Sequence, residues 1–281
     1  DAGVDALVDA QAELYGDLAP KESTGPAQGE LRILTYNVAG LPEGLSGSHP
    51  ATNTPLISPL LNGYDLVGVQ EDFWYHADLV SQATHAHQSA PMVAEPDATH
   101  MGDGLNRMSI LPFDSHERVT WEICSSNESA DCLTTKGFSV ARHELAPGAY
   151  AWVYNLHADA GSSADDVAAR QVQVAQLLAD IDARCAGEAV LVMGDTNLKR
   201  KRAGDVPILD QLFARLTDAY TALACEEDTI DRVLFMAGGG VTWAPLQWWR
   251  PDEFVDAEGH DLSDHRPVAL RLNWSFAPNP R

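Results

Sequence analysis

Eight oxygen- or imidazole-bearing side chains stand at or beside the ends of apolar runs in this sequence: Asn37, Glu71, His157, Asp195, Asn197, Asp231, Asp264 and His265. The clearest run is Ala189-Val-Leu-Val-Met-Gly-Asp195-Thr-Asn197. Residues i and i+2 of an extended chain point the same way, so Asp195 and Asn197 can address one centre. Hard cations, hydrolytic water and phosphate all take such oxygens. A single Asn at a strand end is most often a turn former, and a single Glu is most often solvated. Recurrence at the same end of successive apolar runs is what points to a site.

The chemistry this set supports is metal-assisted hydrolysis. Glu71 and Asn37 can hold Mg²⁺ through oxygen, with Asp195, Asn197 and Asp264 as further ligands or orienters of water. His265 can take a proton from the attacking water if a carboxylate fixes its tautomer, and Asp231 is the candidate for that partner. His157 can protonate the leaving oxygen or stabilise charged phosphoryl oxygens, because the ordinary imidazole pKa suits both tasks near neutrality. No Gly-x-x-x-x-Gly-Lys loop, Gly-x-Ser-x-Gly elbow or His-Glu-x-x-His motif occurs, which removes several rival mechanisms.

The elements that must position these residues alternate between strand and helix. Leu31–Asn37 alternates like a strand, 55–61 is helical, and Asp65–Glu71 is a second buried strand. Strand, helix, strand with polar C-terminal ends is an α/β layer pattern. The His-rich stretch 85–106 reads as a solvated loop. Strands are expected at 107–111, 118–124, 134–143 and 150–157, the last ending on His157. Residues 164–182 form the clearest helix, with Val167, Val174, Leu178 and Ile181 on one face and Asp165 and Asp166 at its start. After the 189–197 strand, Lys199-Arg-Lys-Arg202 reads as a solvated loop. A helix at 208–216, a strand from Thr229 through Asp231, and a strand from Val268 complete the pattern. Residues 1–30 read as a short helix and linker accessory to a catalytic domain over 31–281.

Composition narrows the partners. The chain has 281 residues, 45% of them apolar, with 41 acidic against 18 basic side chains and a net charge of −23. That charge repels polyanions at long range and disfavours a nucleic-acid surface. No apolar run is long enough to span a bilayer. The start at Asp1 suggests an exported chain from which a signal peptide has been removed. Four cysteines without Cys-x-x-Cys spacing suit two disulfides in such a protein, with four reduced buried thiols as the alternative; if bridged, Cys124–Cys132 closes a small loop and Cys185–Cys225 a longer one.

The motifs Thr35-Tyr-Asn37-Val, Val69-Gln-Glu71, Asn155-Leu-His157, Gly194-Asp-Thr-Asn197, Asp231-Arg-Val and Ser263-Asp-His265-Arg-Pro267 resemble, in order, the endonuclease/exonuclease/phosphatase superfamily. Its members include DNase I-like nucleases, inositol phosphatases and secreted bacterial neutral sphingomyelinases. The resemblance runs from about residue 31 to 273. It implies a DNase I-like, four-layer α/β sandwich of two packed mixed β-sheets flanked by helices. It also implies a divalent-metal site (Mg²⁺, or Mn²⁺, Co²⁺ or Ca²⁺) and phosphoester hydrolysis by in-line water attack. Glu71, Asn37 and Asp264 would be metal-side residues, while Asp195 and Asn197 would orient nucleophile and phosphate. His265 would be the general base and His157 the general acid or transition-state stabiliser.

Three features lean toward the sphingomyelinase or phospholipase C-like branch. The acidic balance suits a zwitterionic lipid better than DNA. Thr135-Lys136-Gly-Phe138 resembles the Lys-Gly-Phe element of bacterial sphingomyelinases, whose lysine lies near the phosphate. The stretch Val241–Phe254, with Trp248 and Trp249, stands where those enzymes carry a membrane-touching aromatic hairpin. At least one of Trp243, Trp248 and Trp249 should be core. An adjacent pair pointing to opposite sides of a strand leaves one ring exposed for peripheral membrane contact. The expectation is a secreted, monomeric phosphodiesterase acting on a phospholipid or another small phosphodiester. Soluble phosphoesters such as glycerophospho-head groups and a secreted nuclease are the alternatives. A non-catalytic binding protein on this fold is disfavoured by the intact set.

Overall fold

A computed structural model describes residues 26–97, 100–125 and 130–278. The expected helix before residue 18 lies outside the described residues. Among the described residues, twelve strands form two six-stranded sheets. The first holds β1 (Ala27–Asn37), β2 (Leu66–Gln70), β3 (His87–Gln88), β4 (Asn106–Ser109), β11 (Val241–Trp249) and β12 (Val268–Phe276), in the order β11-β12-β1-β2-β4-β3. The second holds β5 (Phe113–Thr120), β6 (Gly137–Ala146), β7 (Ala149–His157), β8 (Ala189–Asp195), β9 (Thr217–Asp218) and β10 (Asp231–Met236), in the order β5-β6-β7-β8-β10-β9.

The helices are α1 (Pro50–Leu60), α2 (His76–Val80), α3 (Ala164–Cys185), α4 (Val206–Phe213) and α5 (Ala219–Ala222). The clearest helix of the sequence is α3. Ser163 caps it by accepting from the Asp166 amide, and the Asp166 carboxylate accepts in return from the Ser163 amide. That reciprocal pair satisfies two donors the helix start would otherwise leave open.

Three apolar layers separate the elements. Leu31, Ile33 and Leu66 of the first sheet meet Val153, Leu191 and Val233 of the second between the sheets. The faces of α3 and α4, through Leu177, Leu178, Ile208 and Leu212, cover the outside of the second sheet. Ile57 of α1 and Leu79 of α2 cover the first. The result is the expected four-layer sandwich. Leu34, Val67 and Val69 are fully buried outward while Ile33 and Leu66 are buried inward, because each sheet has a covered layer on both faces.

Two parallel pairs point their C-terminal ends to one rim. β1 and α1 lead to β2, where Asn37 pairs in register with Gln70. β7 and α3 lead to β8, where His157 pairs with Asp195. β10 runs antiparallel to β8, so its first residue, Asp231, lies against the last residue of β8, Asp195. A polar link holds the sheets in mutual register. Gln70 donates to the Asn155 oxygen at 2.6 Å, and the Asn155 amide donates to the Val69 carbonyl at 2.8 Å.

Several boundaries differ from the sequence reading. β1 starts at Ala27 because β12 continues to Phe276 and supplies pairing partners for residues 27–30. The strand expected at 118–124 ends at Thr120, and the chain then turns into the Cys124–Cys132 loop. His85 is no solvated residue. It is buried, with Nε2 2.8 Å from the Tyr64 carbonyl. Val241–Trp249 is an edge strand in the ladder, and among described residues the connection after it holds one isolated bridge, Val255 to Asp261, instead of an extended hairpin. The disulfide Cys124–Cys132 is present, whereas Cys185 and Cys225 are free. Cys185 ends α3, packed in the core beside the Tyr154 hydroxyl, so the second bridge is not formed.

Candidate active site

At the rim, backbone geometry aims each side chain. Glu71 follows β2 in the left-handed region (φ 58°), and its carbonyl accepts from the amides of Gly40 (3.0 Å) and Phe73 (2.9 Å). Gly40 is required there, because a Cβ would stand 2.4 Å from the Glu71 oxygen. Gly194 has φ 140°, and a Cβ would lie 2.1 Å from the Leu156 carbonyl. Asp195 is therefore delivered from a position only glycine can precede. Its Oδ1 accepts from the Asn197 amide at 2.9 Å, and the Asn197 side chain donates to the Ala158 carbonyl at 3.0 Å.

The two sheets meet through Asn37. Its amide nitrogen lies 3.2 Å from Glu71 Oε1 and 3.4 Å from Asp195 Oδ2, and its oxygen accepts from the Ala39 amide at 3.1 Å. Asn37 thus presents a donor to the two carboxylates, in contrast to the oxygen ligand expected of it. His157 and His265 flank Asp195. His157 Nε2 lies 3.5 Å from Asp195 Oδ2 and 3.9 Å from Glu71 Oε1, and His265 Nε2 lies 3.7 Å from Asp195 Oδ2.

The other nitrogen of His265, Nδ1, lies 3.1 and 3.3 Å from the two oxygens of Asp231. Burial alone would lower the pKa of His265. The hydrogen bond and charge of Asp231, with the charges of Asp195 and Asp264, outweigh it and raise the pKa to about 10. His157 is the opposite case: burial, then the charges of Lys136 and His265, hold it well below the ordinary imidazole value. Lys136 Nζ donates to His157 Nε2 at 2.9 Å and to Asp131 Oδ1 at 2.5 Å. Asp131 Oδ2 in turn accepts from the Ala160 amide at 2.9 Å, next to the His157 strand end.

Asp264 does not join the cluster. It is exposed, its amide donates to Ser48 Oγ, and its carboxylate accepts from Ser263. The anchor of this turn is Ser263, whose hydroxyl donates to the Asn37 carbonyl at 2.7 Å. Trp248 and Trp249 are both half-buried. Trp248 meets Tyr220 edge-on at 5.2 Å, and Trp249 stacks with Tyr64 at 6.4 Å. Opposite faces of β11 each pack on a layer, Trp248 on the inter-sheet core and Trp249 on the outer one, so neither ring stands fully exposed as was expected of one of them.

The basic run after Asn197 is structural as well. Arg200 pairs with Asp218, while Arg202 pairs with Asp205 and donates to the carbonyls of Gly161 and Asn197. Asp131 and Ser263 were missed in the sequence, where one stands beside a cysteine and the other inside a recognised motif without distinction.

The donor set suits a divalent cation. Glu71, Asp195 and Asp231 bring three carboxylates to one rim. Burial, then the charge of Asp231, raises the Asp195 pKa above the ordinary carboxylate range, against the lowering effect of His265 and Lys136. Among the described residues, Asp195, Asp231 and His265 offer ligand atoms within 4.8 Å of one another. The tie between His265 and Asp231 already engages that trio, and Glu71 is the carboxylate that reaches the opening.

Two mixed sheets between helix layers, with acids and histidines gathered at one rim, give the chain the DNase I-like fold of its structural neighbours. In sequence the chain is similar to mycobacterial sphingomyelinases. It is 30% identical over 272 residues to those of Mycobacterium tuberculosis and Mycobacterium bovis, a match covering 89% of this chain and 54% of the relative. The chain thus spans about half the length of these relatives. Among solved structures, sphingomyelinase C from Streptomyces griseocarneus has a TM-score of 0.61 at 21% identity, covering 86% of this chain and 99% of that one. Staphylococcus aureus beta toxin gives 0.63 at 17%, covering 85% and 99%. D. rerio TDP2, humanized by 14 mutations, gives 0.67 at 18%, covering 86% and 98%. Beta toxin carrying two substitutions has been solved with bound magnesium ions. No protein-family model matches the chain.

Proposed function

We propose that the chain is a secreted, monomeric, divalent-cation-dependent phosphodiesterase that hydrolyses a phospholipid head-group ester, as sphingomyelinase C and phospholipase C-like enzymes do. The observation that carries this reading is the Asp231–His265 pair standing on one side of Asp195 and the Lys136–His157 pair on the other. Glu71, with Asp195 behind it, would hold Mg²⁺ or a similar ion, which polarises the phosphoryl oxygens when bound. The Cys124–Cys132 bridge supports an oxidising, extracellular setting.

The residues divide the work by position. Asp231 holds the Nδ1–H tautomer of His265, leaving Nε2 to accept the proton of the attacking water. A cation held by Glu71 and Asp195 would counter the field that raises His265, which would lower its pKa toward the ordinary imidazole range. Asn197 fixes the Asp195 carboxylate. His157, buried and neutral with Nε2 occupied by Lys136, is placed to orient the lysine and to stabilise charge, which disfavours it as the proton donor. A substrate panel with Mg²⁺ and with chelator tests the reading. Phosphocholine or phosphoethanolamine release should require the metal and disappear in His265→Ala and His157→Ala. Inactivity on every choline and ethanolamine diester, with activity on plasmid DNA, would sink it.

A further inference from the structure

Arg170 of α3 is fully buried on the helix face that also buries Val174, Leu177 and Ile181. Its Nη1 donates to three successive carbonyls in the loop after β7, those of Asp159 (2.9 Å), Ala160 (2.9 Å) and Gly161 (3.1 Å). Its Nη2 donates at 3.1 Å to Oδ1 of Asp205, which is buried as completely. The other oxygen, Asp205 Oδ2, accepts from the Lys199 amide at 2.9 Å and from Arg202 Nε at 2.5 Å. Arg202 in turn donates to the Gly161 carbonyl at 2.6 Å and to the Asn197 carbonyl. Two guanidinium groups on one carboxylate thus tie the loop after β7 to the loop after β8.

Both loops carry parts of the site. Asn197 holds the left-handed region (φ 51°), which a residue with a side chain keeps only where its surroundings impose it. In that conformation its amide meets Asp195 Oδ1, its side chain meets the Ala158 carbonyl, and its own carbonyl is the one Arg202 takes. On the other side, the Ala160 amide donates to Asp131, which holds Lys136 against His157. A buried ion triad adds little to stability, because desolvation offsets most of the attraction. What it supplies is direction, since a planar fork of fixed donors fits one arrangement of the oxygens around it. Resting on the phosphodiesterase reading above, we propose that Arg170 is a positioning residue for this site. Through Asp205 and Arg202 it fixes the Asn197 turn that aims Asp195, and through the Ala160 carbonyl it fixes the peptide segment that supports Asp131 and Lys136.

The experiment compares the native protein with Arg170→Met, which removes the fork, and with Arg202→Gln, which breaks the same clamp from its half-buried outer end. Where Arg170→Met does not fold, as near-UV circular dichroism will show, the same measurements on Arg202→Gln decide. Hydrogen exchange of the Ala160 and Asn197 amides should speed up at least about tenfold, while that of Leu177 and Leu178 in α3 stays native. With Mg²⁺ and a soluble nitrophenyl phosphocholine, kcat should fall about 10- to 100-fold, the upper figure being what a displacement of about 1 Å gives, with KM nearly unchanged. Combined with Asn197→Ala, the loss should fall short of the product of the two single losses by at least about threefold, because both changes act on one turn. A residue that only supports the fold gives losses that multiply. Multiplying losses, a single variant within about threefold of native kcat, or native exchange at both amides overturns the positioning role and leaves the phosphodiesterase reading standing. If the native protein releases no nitrophenol, that reading falls, while faster exchange at Ala160 and Asn197 still upholds the clamp on the two loops.

Discussion

Asp231→Asn is the sharpest perturbation of the proposed chemistry, because it keeps shape and removes one charge. The carboxylate lies 3.1 Å from His265 Nδ1 and is the leading cause that raises the imidazole from an ordinary 6.5 to about 10 against the lowering effect of burial. Removing the nearest of three contributing carboxylates should lower that pKa from about 10 toward the ordinary imidazole value. Loss of a hydrogen bond to a charged group costs about 1.5–3 kcal/mol, or roughly 10- to 150-fold in kcat/KM. Titration of His265 by NMR in the metal-free protein reads the first quantity, and initial rates with Mg²⁺ read the second.

Linkage sets a third readout. A raised folded pKa contributes stability that is fully present below 6.5 and is lost as pH rises through about 10. The stability gap between native protein and Asp231→Asn should therefore narrow above pH 6.5 and continue to close toward pH 10. The double variant with His265→Ala should be no slower than His265→Ala alone, as for residues acting as one unit. A variant within threefold of native activity, with an unshifted His265, would refute the assigned pairing.

Four further outcomes follow from the geometry. Glu71→Gln should abolish Mg²⁺-dependent activity, and Mg²⁺ at a hundredfold over its dissociation constant should stabilise native protein by about 2.7 kcal/mol but not this variant, measured by chemical unfolding. Burial, then the charges of Arg107, His87 and His116, hold His143 neutral in the folded state, so its stability contribution is full above pH 6.5 and is lost as pH falls below it. His143→Gln should flatten that acid slope in thermal unfolding. Trp248→Ala should cost about 2–4 kcal/mol and lower activity on vesicles and soluble diesters alike, because its ring packs on Tyr220 and the core. In the native protein a thiol reagent should label half-exposed Cys225 and spare Cys185, whose thiol burial pushes up to about 11, as peptide mass mapping will show.

Much of the site was legible as chemistry before it was legible as geometry. Polar residues after apolar runs marked Asn37, Glu71, His157, Asp195 and Asp231, and the Ser263-Asp264-His265 turn marked the candidate base. Asp264 shows the limit of reading by adjacency: the same turn that aims His265 inward turns Asp264 to solvent. Asn37 was read by its oxygen, yet its neighbour Ala39 takes that oxygen and leaves the nitrogen facing the carboxylates. Lys136 was recognised from its motif, but its contact with His157 joins the starts and ends of different strands, and no spacing encodes it.

By itself the sequence determined which segments form strands and helices, which of their ends are polar, and that a single rim could collect them, because alternation, caps and glycine positions act locally. Only the tertiary structure decided the partners. Antiparallel β10 set Asp231 against Asp195, and the Gln70–Asn155 link aligned one sheet's rim with the other's. The same cause undid the Trp248–Trp249 expectation. Strand alternation sends adjacent rings to opposite faces, but whether a face meets water depends on layers contributed by distant parts of the chain. Cys185 stayed free for that reason too: a helix end buried in one core has its neighbours chosen by packing.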